Sequence, residues 1–400
     1  MKRITAFNIL LLAGAGLLSA LLSCGGSVGG DASVDGTGDT DAAVPDSDVP
    51  ADPQGEEQPP GPGQGVDILV VVDNSGSMSA EQEILKNAFP ALIRALLDPP
   101  VDPETGQRVH EPIRDLHLGV ISTDLGTAGF NVQTCEDNLL VGDDAILQHA
   151  PNGAGCGASY PLYLDYSVAD GAPPDLTAME AITDDFGCIA ALGTSGCGFE
   201  QQLEAARRAL LVQAEPGGPN DGFLRADTIV VILFITDEED CSAQDPTMFD
   251  ISSLTYGVNL RCYYEKSKLF PVSRYAADFR SLRSNPDDVV VGMIVGVPPI
   301  PGCNGRGSEI SGCLDMPAMQ EIVRPDLEML EYVCKYPPTC NPPQPPNPGD
   351  CATEAFPARR FVELALNLGE GAIVQSICTG DYVPPMSAIS ARIAEILTGR

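Results

Sequence analysis

An α/β fold is predicted: a doubly wound, mostly parallel sheet with disulfide-stapled loop insertions. Three observations predict it. Short β-branched runs alternate with segments whose apolar residues recur at helical spacing. Several of the runs are apolar throughout, which marks strands buried on both faces rather than a half-solvated sheet. Eight of the twelve cysteines that follow Cys24 fall in or beside two irregular stretches, about 125–185 and 297–352.

The chain opens with Lys2 and Arg3 before an apolar stretch, Ile4 to Leu22, the layout of an export signal. Leu21-Leu22-Ser23-Cys24-Gly25 places an aliphatic residue three before a cysteine and a small residue just before it. This resembles a bacterial lipobox, in which residues 1–23 are removed and Cys24 is acylated. Glycine after the cysteine resembles the lipoproteins released to the Gram-negative outer membrane, facing the periplasm or the cell surface. No other stretch approaches the ~20 continuous apolar residues that span a bilayer, so the lipid is the expected anchor.

Residues 24–65 hold the lipidated cysteine and a Gly, Asp, Pro, Ser and Ala segment with nine acidic residues, Asp31 to Glu57, and no basic one. Such a composition cannot bury enough apolar surface to offset its ordering entropy, so a disordered tether of roughly 35 Å mean span is expected.

The pattern changes at Val66, and a single domain is expected over 66–398. Val66–Val72 reads as the first strand, and Ile84, Leu85, Ala88, Phe89, Leu92, Ile93 and Leu96 give residues 80–97 a helical apolar face. Leu116–Ile121 is the second strand. Phe199, Leu203, Ala206 and Leu210 mark a helix over 199–213. Thr228–Ile235 is the most strand-like run, followed by a helix around 269–283 and the strand Val289–Val295. A helix (357–368), a short strand (372–377) and a last helix (386–397) close the domain. In such sheets ligands sit at the C-terminal ends of the strands.

With 56 acidic against 22 basic residues the formal charge is −34. Binding to nucleic acid or to anionic lipid needs clustered Lys and Arg, so both are argued against. The charge suits basic partners, bound divalent cations, or simple solubility. An even cysteine count after Cys24 suggests disulfides in an exported chain. Sequence neighbours suggest the pairs Cys135 with Cys156, Cys188 with Cys197, Cys241 with Cys262, Cys303 with Cys313, Cys334 with Cys340, and Cys351 with Cys378. A zinc cluster is the poorer reading, because there is no Cys-x-x-Cys and His110, His117 and His149 are scattered.

The chemistry concentrates after the first strand, in Asp73-Asn74-Ser75-Gly76-Ser77. A hard cation such as Mg²⁺ takes about six oxygens and keeps some waters. One carboxylate and two hydroxyls on alternate residues of a tight loop can point to the same spot. Helix capping by the same residues is the plainer alternative. Asp-x-Ser-x-Ser between an apolar strand and an amphipathic helix resembles the metal-ion-dependent adhesion site of von Willebrand factor type A (vWA) domains, a Rossmann-like fold. The resemblance spans roughly 66–397 in element order, with only this first motif specific. It implies two further ligands: Asp237, at the end of Ile232–Asp237, and a threonine before the middle helix, for which Thr194 is the natural match and Ser195 the substitute. Glu238, Glu239 and Asp240 read as a solvated acidic loop or a second cation site such as Ca²⁺. Asp124 reads as a loop acid near the same rim.

The resemblance implies a cell-envelope binding module. Its divalent cation, Mg²⁺ foremost with Mn²⁺ or Ca²⁺ as options, would meet a carboxylate of a protein partner in adhesion or assembly. A structural lipoprotein whose metal only stabilises the fold is the alternative. A metal-dependent hydrolase is the weakest reading, since there is no His-Glu-x-x-His and no Gly-x-Ser-x-Gly elbow between a strand and a helix, Gly25–Gly29 falling in the acidic tether.

Overall fold

The apolar runs pair in register with one another. In the computed structural model, which describes residues 65–135, 139–151, 155–252, 256–337 and 353–399, seven strands form one mixed sheet. They are β1 (Gly65–Val72), β2 (Asp115–Ser122), β3 (Leu164–Ser167), β4 (Ile229–Ile235), β5 (Val289–Val295), β6 (Gly305–Arg306) and β7 (Ala372–Ser376), in the order β3-β2-β1-β4-β5-β7-β6. The five central strands are parallel, and both edge strands run antiparallel to their neighbours. Every residue of β1, β4 and β5 is buried, as runs without polar alternation require.

Six helices cover the sheet: α1 (Ser79–Leu97), α2 (Leu176–Ile189), α3 (Gln202–Leu211), α4 (Val272–Arg280), α5 (Arg359–Leu368) and α6 (Val383–Thr398). One group packs α1 against α2 and α6, with Phe89 stacked on Phe186, and the other packs α4 against α3 and α5. The two groups lie on opposite faces. Leu233 and Gly292 are register partners, and a Cβ on Gly292 would come within 2.8 Å of Ile389 on α6. Phe234, one residue on and therefore on the other face, meets Phe279 of α4 and Phe361 of α5 at 6.4 and 5.5 Å between ring centroids.

The stretch 125–185, expected as an insertion, supplies edge strand β3 and most of α2. Asp175 caps α2, its carboxylate accepting from Thr177 N and Ala178 N. The stretch 297–352 contributes β6 and short ladders outside the main sheet. Residues 1–23, Cys24 and the tether to residue 64 lie outside the described residues, as do Cys340 and Cys351. Among the described residues no helix is long and apolar enough to cross a membrane.

Among the described residues five disulfides are present. Cys241–Cys262 and Cys303–Cys313 join sequence neighbours. The expected pairs Cys135 with Cys156 and Cys188 with Cys197 are replaced by the nested bridges Cys135–Cys197 and Cys156–Cys188, and Cys334 joins Cys378 in place of the expected Cys334–Cys340 and Cys351–Cys378. At Cys135–Cys197 the chain doubles back: Gly198 N donates to Thr134 O, so residues 134–135 and 197–198 run side by side before their sulfurs meet.

Candidate metal centre

Strand β1 lies between β2 and β4, where the strand order reverses, and its C-terminal end opens into the crevice in which α/β sheets bind ligands. Asp73 is the first residue beyond β1. The pairing of Val72 with Ile235 sets Asp73 beside Thr236, and Asp73 N donates to Ile235 O at 3.1 Å. Asp237 therefore ends the neighbouring strand at the same level. Thr236 Oγ1 donates to Asp73 Oδ2 at 2.6 Å, and Ser75 N donates to Asp73 Oδ1 at 2.8 Å. Ser75 Oγ and Ser77 Oγ are 3.2 Å apart and hydrogen-bonded. The Ser77 hydroxyl also acts as a donor toward the Asp237 carboxylate, favouring its charged form. Asp73, Ser75, Ser77 and Asp237 thus form one continuous oxygen cluster.

Thr194 and Ser195 approach from a third segment. Gln82 on α1 anchors that loop, since its amide donates to Asp73 O and Gly193 O and accepts from Gly193 N. Gly196 N donates to Asn74 O at 2.9 Å. A Cβ on Gly196 would lie 2.2 Å from Asn74 Oδ1, so any larger residue here would displace the Asn74 side chain. Thr194 and Ser195 are exposed and line, with Ser75, Ser77 and Asp237, a cavity of about 1020 Å³.

The cluster carries more negative charge than its surroundings balance. Asp73 is fully buried, which raises its pKa against the lowering effect of the Thr236 and Ser75 hydrogen bonds. Asp237 is pushed well above the ordinary range by burial, then by Asp73, Glu238 and Glu81, with the Ser77 bond opposing. Burial followed by repulsion from Glu238 and Asp73 does the same to Glu200. Burial also lifts Glu81 and Glu238 to about 8, each with Asp73 adding repulsion. Asp237 Oδ1, Glu200 Oε1 and Glu81 Oε2 are buried without a hydrogen-bond partner. Buried carboxylates in this state are relieved by protons or by a cation. The donor set is all oxygen, which fits a hard divalent ion.

The rest of the acidic run is already engaged. Both Glu239 oxygens accept from Arg360 N at the start of α5. Asp240 accepts from Leu203 N at the start of α3 and from Arg360 Nε. Asp240 is fully buried, so a solvated loop does not describe it; Glu238 alone of the three is set against the cluster. Asp124 accepts from Gly126 N and Cys197 N, which gives it a structural part in the rim.

A second group lies at the other end of the sheet. The ligand atoms of Asp115, His117 and Asp165 fall within 4.8 Å of one another, and the trio could hold a metal ion.

No family model, curated protein or solved structure matches this chain. Geometry and residue chemistry therefore carry the functional argument.

Sequence reasoning missed Thr236, Glu81 and Glu200 at the first centre. Thr236 followed a strand without a motif of its own, and the two glutamates look like ordinary helix-start acids until burial sets them against Asp73. At the second group, Asp115-x-His117 puts both side chains on one face of a strand, but Asp165 arrives only through pairing with β3.

Proposed function

We propose that residues 66–398 form a vWA-like binding module that captures a protein partner through a divalent cation. Asp73, Ser75, Ser77, Thr194 and Asp237 are the proposed ligands, directly or through water, with Mg²⁺ the best fit and Mn²⁺ or Ca²⁺ alternatives. The observation that carries the reading is the buried Asp73–Asp237 pair, bridged by Ser75 and Ser77 at the mouth of a cavity large enough for a partner side chain. The strand order, with β1 central and an antiparallel edge strand beside β2, supports vWA-like architecture.

The cation would supply an electrophilic centre for a carboxylate of the partner. This chain's own residues do the rest: Thr236 and Ser75 N orient Asp73, Gln82 holds the 193–196 loop against Asp73, and the rim admits the incoming group. Acylation at Cys24 would place the module on the outer membrane, consistent with adhesion or assembly in the cell envelope.

Isothermal calorimetry with Mg²⁺ tests the site. Asp73→Ala should remove most of the binding from a folded, disulfide-linked domain; unchanged Mg²⁺ binding would sink the reading. Partner capture from envelope extracts should vanish with chelator. Capture indifferent to chelator would favour a metal that only stabilises the fold.

A further inference from the structure

We infer that Asp115, His117 and Asp165 form a separate site for a borderline transition-metal ion, with Zn²⁺ the representative species, clamping edge strand β3 to β2. This inference is independent of the proposed adhesion-type centre. His117 stands five residues before Ser122, the end of β2, or about 16 Å along the strand from that centre.

The strand pairing builds the site. His117 is the register partner of Asp165, and Asp115 lies two residues before His117 on the same face. His117 Nε2 is 3.7 Å from Asp165 Oδ1. The other ring nitrogen, Nδ1, is 2.8 Å from Phe223 O. A carbonyl oxygen only accepts, so Nδ1 carries the proton and donates to it, which leaves the Nε2 lone pair in the neutral ring directed toward the carboxylates. A ring nitrogen donating to a backbone carbonyl is the arrangement that orients metal-bound histidines. Tyr163 packs on the same ring with centroids 4.5 Å apart, and His117 is itself buried.

Ligand atoms held about 2.0–2.2 Å from a tetrahedral ion lie about 3.3–3.6 Å from one another. The trio's span of up to 4.8 Å must close by about 1 Å to hold the ion, and the Asp165 side chain, 57% exposed, has room to swing inward. Asp115 also pairs with Arg225, but a carboxylate has two oxygens and about four lone-pair directions, so both partners fit. One imidazole with two carboxylates suits Zn²⁺ rather than Mg²⁺, which favours an all-oxygen set. A bound ion would join the two strands at an edge otherwise made by four residues of β3.

The test titrates the chelator-treated full chain with Zn²⁺ alone, by calorimetry and by thermal melting. Wild type should bind one ion dependent on these residues and melt at higher temperature with Zn²⁺. Asp165→Asn and His117→Gln should each weaken binding about 10-fold or more and abolish the thermal gain. Asp165 is exposed, so its variant should keep the fold whatever happens at His117, and Gln can still donate to Phe223 O. Asp73→Asn should retain this Zn²⁺ binding, which separates failure here from failure of the other centre. Co²⁺ substitution should give a visible spectrum that changes in His117→Gln. Zn²⁺ affinity equal in wild type and Asp165→Asn, or a Co²⁺ spectrum unchanged in His117→Gln, overturns the assignment.

Discussion

The Thr236 hydroxyl donates to Asp73 Oδ2 across 2.6 Å, tying together the ends of the two adjacent central strands. Thr236 Oγ1 itself accepts from Gln202 Nε2 at 2.9 Å and from Glu238 N at 3.1 Å. Thr236 therefore fixes where one Asp73 oxygen points while leaving the serine side of the cluster to a cation. Its role is positional, comparable to the outer groups that orient ligands in metal sites.

Thr236→Val keeps the shape of the side chain and removes this bond. Mg²⁺ affinity should fall by about 10-fold or more. Stability should fall by about 1–3 kcal/mol, because Asp73 and the Gln202 amide are left unsatisfied in a buried place. Calorimetry and urea melts on the same preparation measure both. An intact Mg²⁺ affinity would remove Thr236 from the site's architecture.

Acid should stabilise the metal-free domain. Burial, reinforced by Asp73 and Glu354, lifts the Glu81 carboxyl from an ordinary 4.5 to about 8. The folded state therefore holds a proton that the unfolded state releases between those values. Its contribution is complete below about pH 4.5 and is lost as pH rises through about 8. Melting temperature of the metal-free domain should decline across that window, with Glu238 adding to the trend. Mg²⁺ should restore stability most at the alkaline end, where protons no longer compete for the carboxylates. A flat profile, or equal Mg²⁺ gains at pH 5 and pH 8, would contradict the charge argument.

The extent to which this site was legible in the sequence follows from how local each part is. Asp73, Ser75 and Ser77 lie within five residues at the end of an apolar run, and Asp237 ends a second run. Two parallel strands side by side bring such ends together whatever the rest of the chain does. The strand runs 66–72 and 228–235 nearly coincide with β1 and β4 because full burial leaves its mark on every residue. β3 is four residues with only two buried, Leu164 and Tyr166, too brief a pattern to stand out. α2 was readable in principle from Met179, Ile182, Phe186 and Ile189, but the surrounding Gly and Cys content masked it. Glu81 and Glu200 gain their character from burial, which no local pattern encodes. Pairings such as Cys135–Cys197 depend on where loops return, so sequence proximity misleads.

Gly196→Ala tests the third segment without touching a proposed ligand. The added methyl would meet Asn74 Oδ1 at 2.2 Å and Asn74 Nδ2 at 2.6 Å, so the Asn74 side chain beside Asp73 and Ser75, or the 193–198 loop, must move. Mg²⁺ affinity should drop several-fold while Cys135–Cys197 still forms, as mass spectrometry under non-reducing conditions would show. Normal affinity in this variant would show that the cation does not depend on the close packing of Gly196 against Asn74.

The Cys135–Cys197 bridge closes a 62-residue separation beside the same rim. Chain-entropy reasoning assigns a loop of that length about 4 kcal/mol. Replacing both cysteines by alanine should cost about 2–4 kcal/mol in denaturant melts. It should also weaken Mg²⁺ binding, since Cys197 is one residue beyond Gly196. A stability loss with unaltered Mg²⁺ affinity would confine the bridge to a structural part.

At the opposite end of the sheet, Asp67 separates stability from the cation site. It is fully buried on β1 and accepts from Arg225 N and Nε at 2.8 Å and from Thr228 Oγ1 at 2.6 Å, with Arg283 Nη2 3.5 Å away. Arg225→Met removes the main countercharge and leaves Asp67 dependent on Arg283. Breaking a buried pair in this way costs about 3–5 kcal/mol, and the remaining arginine argues for the lower end. Asp67 and Asp73 occupy opposite ends of one strand, about 20 Å apart at the strand rise. Mg²⁺ affinity in the folded fraction of Arg225→Met should therefore match wild type, even as the urea midpoint falls. Were Mg²⁺ binding to decline together with stability, the cation would be reporting the integrity of the whole sheet, and the losses expected for Thr236→Val and Gly196→Ala would no longer identify a local site.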